Sequence, residues 1–92
     1  MLEVELTSKA KKDLKKLPEN IVFKFQRWLQ LLSLYGLEET RKIPGFHDEP
    51  LKGDRKGQRS IRLNKAYRAI YFVSKNGEIT LLEVIEVNKH DY

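Results

Sequence analysis

The chain has 92 residues, of which 40% are hydrophobic and 34% charged, with a formal net charge of +5. This length can bury one small hydrophobic core, so a single domain over residues 1–92 is expected. The absence of cysteine excludes disulfides and thiolate metal sites. Because the chain has two histidines, a histidine-based metal site is not expected either, and we expect neither a metal nor a cofactor. No apolar run could cross a bilayer and no signal-peptide pattern is present, so a cytoplasmic protein without membrane contact is expected.

The first part of the sequence predicts a strand followed by a helical hairpin. Residues 1–7 alternate between apolar and polar side chains, the pattern of a strand with one buried face. Ser8 is a suitable cap for a first helix. From residue 17 to residue 35 apolar residues recur at spacings of three and four, which predicts an amphipathic second helix ending at Gly36, with Phe25 and Trp28 in the core. The short connection between the helices predicts that they are antiparallel.

The remaining sequence predicts a loop and three consecutive strands. Residues 37–57 lose periodicity and are rich in proline and glycine, so we interpret them as a long loop. The segments SIRL and YRAIYFV flank a turn at residues 64–66, and Asn76-Gly77 is a strong hairpin signal before ITLLEVIEV. The predicted fold is α+β with the order β-α-α-β-β-β. Its helices pack on one face of a single twisted sheet, and its first strand joins the sheet edge.

Positive charge is concentrated in one segment of the chain. Residues 52–68 carry seven basic side chains and one acid, whereas residues 1–51 carry nine and eight, and residues 69–92 carry two and four. A local excess of this kind attracts phosphate groups by counterion release and long-range steering. The segment therefore predicts a surface that binds polyanions, the alternative being a solvated face with a few ion pairs.

The turn after SIRL decides the relative position of two arginines. If residues 64–66 form a three-residue turn, Leu63 pairs with Tyr67, and Arg62 then lies opposite Arg68. Opposed guanidinium groups repel each other unless an anion or flanking acids compensate. With a two-residue turn the arginines would lie on opposite faces, and the sequence leaves both registers open. A bound phosphate would explain an opposed pair.

The last strand is expected to bring a histidine to the same polar face. Glu86, Asn88 and His90 share one side-chain parity, and Ile85 and Val87 share the other. His90 should therefore lie beside Glu86 at the rim of the sheet.

Together these residues contain the groups needed to cleave RNA without a metal. In that reaction the 2′-hydroxyl attacks the adjacent phosphorus, which requires a base, stabilisation of the phosphorane charge and an acid for the departing 5′-oxygen. Arg62, Arg68 and Lys52 suit the second task because they are cations that bind phosphate. His90 suits the first or third because its ordinary pKa lies near neutrality. Glu49 is a candidate base.

The segments EPLKGDRKGQRSIRLNKAYRAIYFV and VIEVNKHDY resemble the RelE/ParE superfamily of bacterial type II toxin–antitoxin toxins, especially its RelE, YoeB and HigB branches. The resemblance covers nearly the whole chain and implies the same order of strand, helical hairpin and three strands. It implies metal-independent cleavage of mRNA on the ribosome, and neutralisation by a cognate antitoxin that wraps around the toxin. By position it implies phosphate contact or charge stabilisation for Lys52, Arg62 and Arg68, a general base at Glu49, a terminal acid or base at His90, and a secondary candidate at His47.

Four further basic residues and one tyrosine are expected to contact RNA without sequence preference. Expected contacts with substrate or ribosomal RNA are Arg55, Lys56, Arg59, Lys65 and Tyr92. The main alternative function is that of a ParE-like toxin, which shares the fold but inhibits DNA gyrase and cleaves no RNA. A plain nucleic-acid-binding module is a third possibility. The combination of His90 with the cationic cluster favours the nuclease.

Overall fold

The computed structural model describes residues 1–89 and contains one sheet and two helices. The strands are β1 (Leu2–Leu6), β2 (Glu49–Pro50), β3 (Gln58–Arg62), β4 (Tyr67–Asn76) and β5 (Ile79–Lys89), and the helices are α1 (Ser8–Lys15) and α2 (Glu19–Arg41). The sheet order is β1-β5-β4-β3-β2. The predicted α+β fold is confirmed, with one additional short strand, β2. Within the described residues no helix has the length and apolar character needed to cross a membrane.

The first strand lies at the sheet edge, as predicted, and it runs parallel to β5. Its register extends from Leu2 opposite Thr80 to Leu6 opposite Val84. The remaining neighbours are antiparallel. The helical hairpin lies between β1 and the other strands in the chain, which gives the chain the length that a parallel pairing requires.

Helix α2 buries one side against the sheet, which confirms the predicted amphipathic helix. Its buried apolar residues are Ile21, Phe25, Trp28 and Leu32, at spacings of three and four residues. The Trp28 ring lies 5.9 Å from that of Phe25 and 5.4 Å from that of Tyr71 on β4. Burying an aromatic or aliphatic side chain of this size contributes about 1.5–3 kcal/mol, so this contact is a main source of stability.

Two details of the helices differ from the prediction. Gly36 breaks the helical geometry with φ 80° and ψ 173°, but the helix resumes and continues to Arg41. The buried Thr40 hydroxyl donates a hydrogen bond to the Gly36 carbonyl at 2.7 Å, which stabilises the resumed turn. The cap of α1 is Thr7 rather than Ser8, because Thr7 has the extended backbone of a cap and its Oγ1 accepts from the Ala10 amide at 3.1 Å.

The interpretation of residues 37–57 as a long loop is wrong for much of the segment. It contains the end of α2, 3-10 turns at Pro44–Phe46 and Gly53–Arg55, and strand β2. Backbone pairing continues past β2, where the Leu51 amide donates to the Gln58 carbonyl at 2.9 Å. Proline and glycine content did not reveal this order because the segment is held by tertiary contacts, among them the buried ring of Phe46.

An irregularity in β5 sets which side chains reach the open face of the sheet. The register with β4 shifts between Ile70 and Tyr71, so that Val84 and Val87 both enter the core although they differ in parity. Beyond the shift, Glu86 and Asn88 share one face, as predicted.

Helix α1 covers the edge of β5 where β1 ends. The Thr7 amide donates to the Val84 carbonyl at 3.0 Å, and the Thr7 hydroxyl donates to the Ile85 carbonyl at 2.5 Å. Farther along, the Val87 amide donates to Asp13 Oδ2 at 3.0 Å. Side chains and backbone from the start of the chain therefore satisfy polar groups of β5 that β1 does not reach.

Candidate functional site

The candidate site lies on the sheet face that the helices leave open. Ile61, Ala69 and Val87 belong to the core, so the alternating residues of the same strands point to the opposite face. There Arg62 of β3 lies directly opposite Arg68 of β4. Arg68 in turn lies opposite Asn88 of β5, and its Nε donates to Asn88 Oδ1 at 3.5 Å.

The turn at residues 64–66 fixes the arginine register. The Leu63 amide donates to the Tyr67 carbonyl at 2.9 Å, which is the pairing expected of the three-residue turn. The side-chain oxygen of Asn64 accepts from the amides of Ala66 at 2.7 Å and Tyr67 at 2.8 Å. Asn64 thus replaces backbone partners within the turn and holds the two arginines on one face.

The opposed arginines lack acidic compensation. No carboxylate of residues 1–89 lies within ion-pair distance of either guanidinium. Glu86 shares the face, but its nearly buried carboxylate pairs with Arg55 and, at 3.8 Å, with Lys9. Like charges directly opposite on neighbouring strands destabilise the sheet by about 0.2–1 kcal/mol, so this arrangement favours an anion between them.

A pocket opens beside the arginine pair. Its lining residues are His47, Glu49, Ser60, Ile61, Arg62, Asn64, Lys65, Tyr67 and Arg68. Glu49 lies opposite Ser60 in the register of β2 with β3, which places its side chain on the same face as the arginines. Its Oε2 lies 3.6 Å from His47 Nε2, and both side chains are about half exposed. The pocket therefore combines two fixed cations with a carboxylate and an imidazole.

His47 is presented by a tight turn. Its backbone has φ 47° and ψ 52°, the left-handed conformation, and within residues 1–89 it is the one non-glycine residue with positive φ. The preceding Phe46 ring is buried, with Lys24 Nζ 4.8 Å from its centroid, and the His47 amide donates to the Pro44 carbonyl at 3.1 Å. Such a conformation costs about 1–3 kcal/mol and persists where surrounding contacts enforce it.

Asp48, between the two exposed pocket residues, points into the protein. Its side chain is 2% exposed, and its Oδ1 accepts from Arg59 Nε at 2.6 Å. Its Oδ2 accepts from the Tyr71 hydroxyl at 2.5 Å, and that hydroxyl also accepts from Arg41 Nε at 3.4 Å. We call these four residues, Arg41, Asp48, Arg59 and Tyr71, the Asp48 network.

The Asp48 network shifts the pKa values of two of its residues. Burial, together with the hydrogen bond to Asp48, raises the pKa of Tyr71 to about 12, against an opposing effect of Arg41. For Arg59, burial lowers the pKa, but the hydrogen bond and negative charge of Asp48 outweigh it and raise the pKa overall. Tyr71 therefore stays a neutral donor, and Arg59 stays a cation, at any physiological pH.

The structure separates the predicted site residues into groups. Glu49, Arg62, Arg68 and Lys65 line the pocket together with His47. Lys52 precedes the turn Gly53–Arg55 and is not among the pocket residues, and Lys56 follows that turn on the surface. Arg55 is engaged by Gln58 and Glu86, and Arg59 by Asp48. His90 and Tyr92 lie outside the described residues. RNA contact by these residues stays a prediction.

The sequence interpretation overlooked Asp48 and Tyr71. Both belong to segments that it described, but nothing in the local pattern shows that a loop carboxylate will meet a strand hydroxyl 23 positions away. The available signal was an acid placed directly between His47 and Glu49, both of them candidate acid–base residues.

Comparison with known proteins establishes the family. The model of the ParE toxin of type II toxin–antitoxin system, parDE, matches residues 4–91. The chain belongs to this ParE toxin family. No curated protein sequence matches the toxin.

Solved structures with the same fold include three toxins. The YoeB/ParE toxin from Agrobacterium tumefaciens superposes with a TM-score of 0.72 at 25% identity, covering 97% of this chain and 99% of that one. YafQ from E. coli strain BL21(DE3) gives 0.77 at 20% identity, covering 98% and 94%. The YoeB–YefM complex from Staphylococcus aureus gives 0.71 at 21% identity, covering 99% of both chains. These matches show that the chain has the fold of the YoeB and YafQ toxins, in agreement with its membership of the ParE toxin family.

Proposed function

We propose that this toxin is an endoribonuclease that cleaves mRNA on the ribosome without a metal ion. The observation that carries the proposal is the opposed pair of Arg62 and Arg68, uncompensated by any carboxylate of residues 1–89, in the same pocket as Glu49. Two adjacent guanidinium groups can bind the non-bridging oxygens of one phosphate in bidentate fashion. The resemblance to the RelE, YoeB and HigB branches supports the same activity.

In the proposed reaction the 2′-oxygen displaces the 5′-oxygen from one phosphorus atom of the RNA. Glu49, or His47 beside it, removes the 2′-proton, and the 2′-oxygen forms a bond to phosphorus. The arginines stabilise the charge that develops on the phosphorane oxygens. The bond from phosphorus to the 5′-oxygen then breaks, and His90, assigned from the resemblance, gives that oxygen a proton. The products are a 2′,3′-cyclic phosphate and a 5′-hydroxyl end.

The ribosome is proposed as the partner that aligns the substrate. The pocket is open, and the side chains of its acid–base candidates His47 and Glu49 are about half exposed, so the toxin alone restricts the RNA little. Holding the 2′-oxygen in line with the leaving 5′-oxygen removes a large part of the activation barrier to cleavage. Lys52, Lys56 and Lys65 are proposed to dock on ribosomal RNA or the mRNA backbone.

A cognate antitoxin is the proposed protein partner. The solved neighbours include the DinJ–YafQ complex from E. coli and the YoeB–YefM complex from Staphylococcus aureus. The toxin's net charge of +5 suits an acidic antitoxin. Exposed Phe23, Leu34 and Tyr35 on α2 offer apolar surface for the same partner.

The proposal is tested by adding toxin made by cell-free synthesis to ribosomes programmed with a defined mRNA. Primer extension should show codon-positioned cuts, and chemical analysis of the fragment ends should show 2′,3′-cyclic phosphate and 5′-hydroxyl groups, the products of 2′-hydroxyl attack. Arg68→Gln should slow cleavage by about 100-fold, the range for removing one donor to a developing oxyanion. Arg27→Gln, the same charge change on an exposed site of α2, is the matched control and should cleave at the wild-type rate. Intact mRNA with the wild-type toxin would overturn the proposal.

Inhibition of DNA gyrase is a second candidate function, and the match to the ParE toxin model favours it. It requires no acid–base chemistry at the pocket. A supercoiling assay with purified gyrase distinguishes the two functions. Loss of supercoiling with intact transcripts would support gyrase inhibition, whereas normal supercoiling with cut mRNA would support the nuclease.

A further inference from the structure

The segment that carries His47 and Glu49 is anchored by the residue between them. The side chain of Asp48 is 2% exposed, while those of His47 and Glu49 are 55% and 54% exposed. The chain therefore turns one side chain inward and two outward over three residues. Removing a carboxylate from water is expensive unless it is paired and hydrogen-bonded, so the anchor must have compensating contacts.

Those contacts come from two strands, and a residue of α2 supports one of the donors. Arg59 of β3 donates to one carboxylate oxygen and Tyr71 of β4 to the other. Arg41, at the end of α2, donates to the Tyr71 hydroxyl. Tyr71 is itself fully buried and packs against the ring of Trp28. The carboxylate is thus held by a residue of the buried core.

The same anchor explains how the left-handed turn at His47 persists. The Phe46 ring is buried on one side of His47 and the Asp48 carboxylate on the other. With both neighbours fixed, the backbone at His47 cannot relax to a more favourable φ without removing one of them from its contacts. The left-handed turn also places His47 Nε2 3.6 Å from Glu49 Oε2.

We propose that Asp48 is a positioning residue for the cleavage reaction, because it holds His47 and Glu49 at the pocket beside the arginine pair. This inference rests on the proposed function for its effect on rate. Its structural part, the fixed geometry of the His47 and Glu49 side chains, stands independently. Misplacement of a reacting group by about 1 Å can cost about 100-fold in rate, so an anchor of this kind matters although it touches no substrate.

The first test is spectroscopic and needs no activity. The chain has two histidines, so the imidazole signals of His47 are assigned by comparison with His90→Gln. In the wild type, nuclear Overhauser contacts are expected between the imidazole of His47 and the side-chain methylenes of Glu49. In Asp48→Asn, which keeps the volume and removes the charge, these contacts should weaken or disappear. Asp54→Asn, the same change at an exposed acid nearby, is the matched control and should keep them.

The second test is kinetic, on programmed ribosomes. Asp48→Asn should lower the single-turnover cleavage rate by about 10- to 100-fold and leave KM within about twofold, since the arginine pair and the docking lysines are unchanged. A role in stability alone would lower the melting temperature but leave the rate of the folded toxin at the wild-type value.

If Asp48→Asn does not fold, Tyr71→Phe serves in its place. It removes one donor to the carboxylate and keeps the core packing, so the same contacts should weaken and the rate should fall by a smaller factor. Wild-type contacts and a wild-type rate in a folded network variant would overturn the inference. Absence of cleavage by the wild-type toxin would instead overturn the proposed function and leave the spectroscopic test of the anchor in force.

Discussion

Arg62 and Arg68 lie directly opposite each other on β3 and β4, and neither has a carboxylate of the described chain within ion-pair distance. Two cations held together in this way store electrostatic repulsion that an anion can relieve. An anion bound at this pair is therefore expected to stabilise the fold.

Inorganic phosphate should stabilise the toxin through this pair. At ten times its Kd, a ligand that binds only the folded state adds about 1.4 kcal/mol. For a domain of this size that raises Tm by about 6–11 °C. Thermal melts in phosphate and in chloride at equal ionic strength measure the difference. In Arg62→Gln/Arg68→Gln the shift should shrink to the nonspecific effect of phosphate, and without the anion the double variant should be more stable than the wild type by about 0.2–1 kcal/mol. An equal phosphate shift in both proteins would contradict this prediction.

The raised pKa of Tyr71 should make the toxin unstable in alkali. The pKa is about 12 in the folded protein, against 10.0 for an unperturbed tyrosine. Below pH 10 both states keep the proton, and the stabilisation is fully present. Between about pH 10 and 12 the unfolded chain ionises first, so the free energy of unfolding falls by up to about 2–3 kcal/mol. Urea titrations across this range measure the fall, and Tyr71→Phe should lose this contribution. A similar slope in the variant would exclude Tyr71 as its source.

Thr7 should contribute more to stability than its position beside the helix suggests. It caps α1 through the Ala10 amide and also donates its hydroxyl hydrogen to the Ile85 carbonyl. Thr7→Val keeps the shape and removes both interactions, which should cost about 1–3 kcal/mol in urea denaturation. Ser8→Ala, at the residue that the sequence favoured as the cap, should cost less than about 0.5 kcal/mol. Equal effects at the two positions would contradict the observed cap.

Gly36 should resist substitution because of its backbone rather than its surroundings. No atom lies within 4 Å of a Cβ built there, but φ is +80° and ψ is 173°, a region that is essentially restricted to glycine. Gly36→Ala should therefore destabilise the toxin by about 1–3 kcal/mol. Gly45, where a Cβ also meets nothing and φ is not positive, provides the control, and Gly45→Ala should be neutral or slightly stabilising. Neutral behaviour at Gly36 would show that the break in α2 can relax.

The sequence predicted those parts of the fold that depend on local pattern. Local sequence pattern located α2 and every strand except β2. Of the two turn registers that the sequence left open, the three-residue turn is the one that the structure contains, and it places Arg62 opposite Arg68. What it missed depends on contacts between distant segments. The resumed end of α2 relies on buried Thr40, and β2 exists because residues 49 and 50 find a partner in β3.

The same distinction holds at the candidate site. The charge pattern and the resemblance identified Glu49, Arg62 and Arg68, which line one pocket. Charge alone could not distinguish cations that face the pocket from cations that are already paired, and Arg55 and Arg59 are paired with Glu86 and Asp48. The inward direction of Asp48 follows from the buried hydroxyl that meets it, which no local pattern encodes.

The position of β5 between β1 and β4 has a consequence for the order in which the sheet forms. β1 contains residues 2–6, yet its only strand partner in the described sheet is β5, residues 79–89. A nascent chain whose last strand has not left its own ribosome cannot close this sheet, and contacts so distant in sequence form slowly. Asn88, which bonds Arg68, arrives with the same strand. The sheet face that carries Arg68 and Asn88 is therefore completed only when β5 joins the sheet.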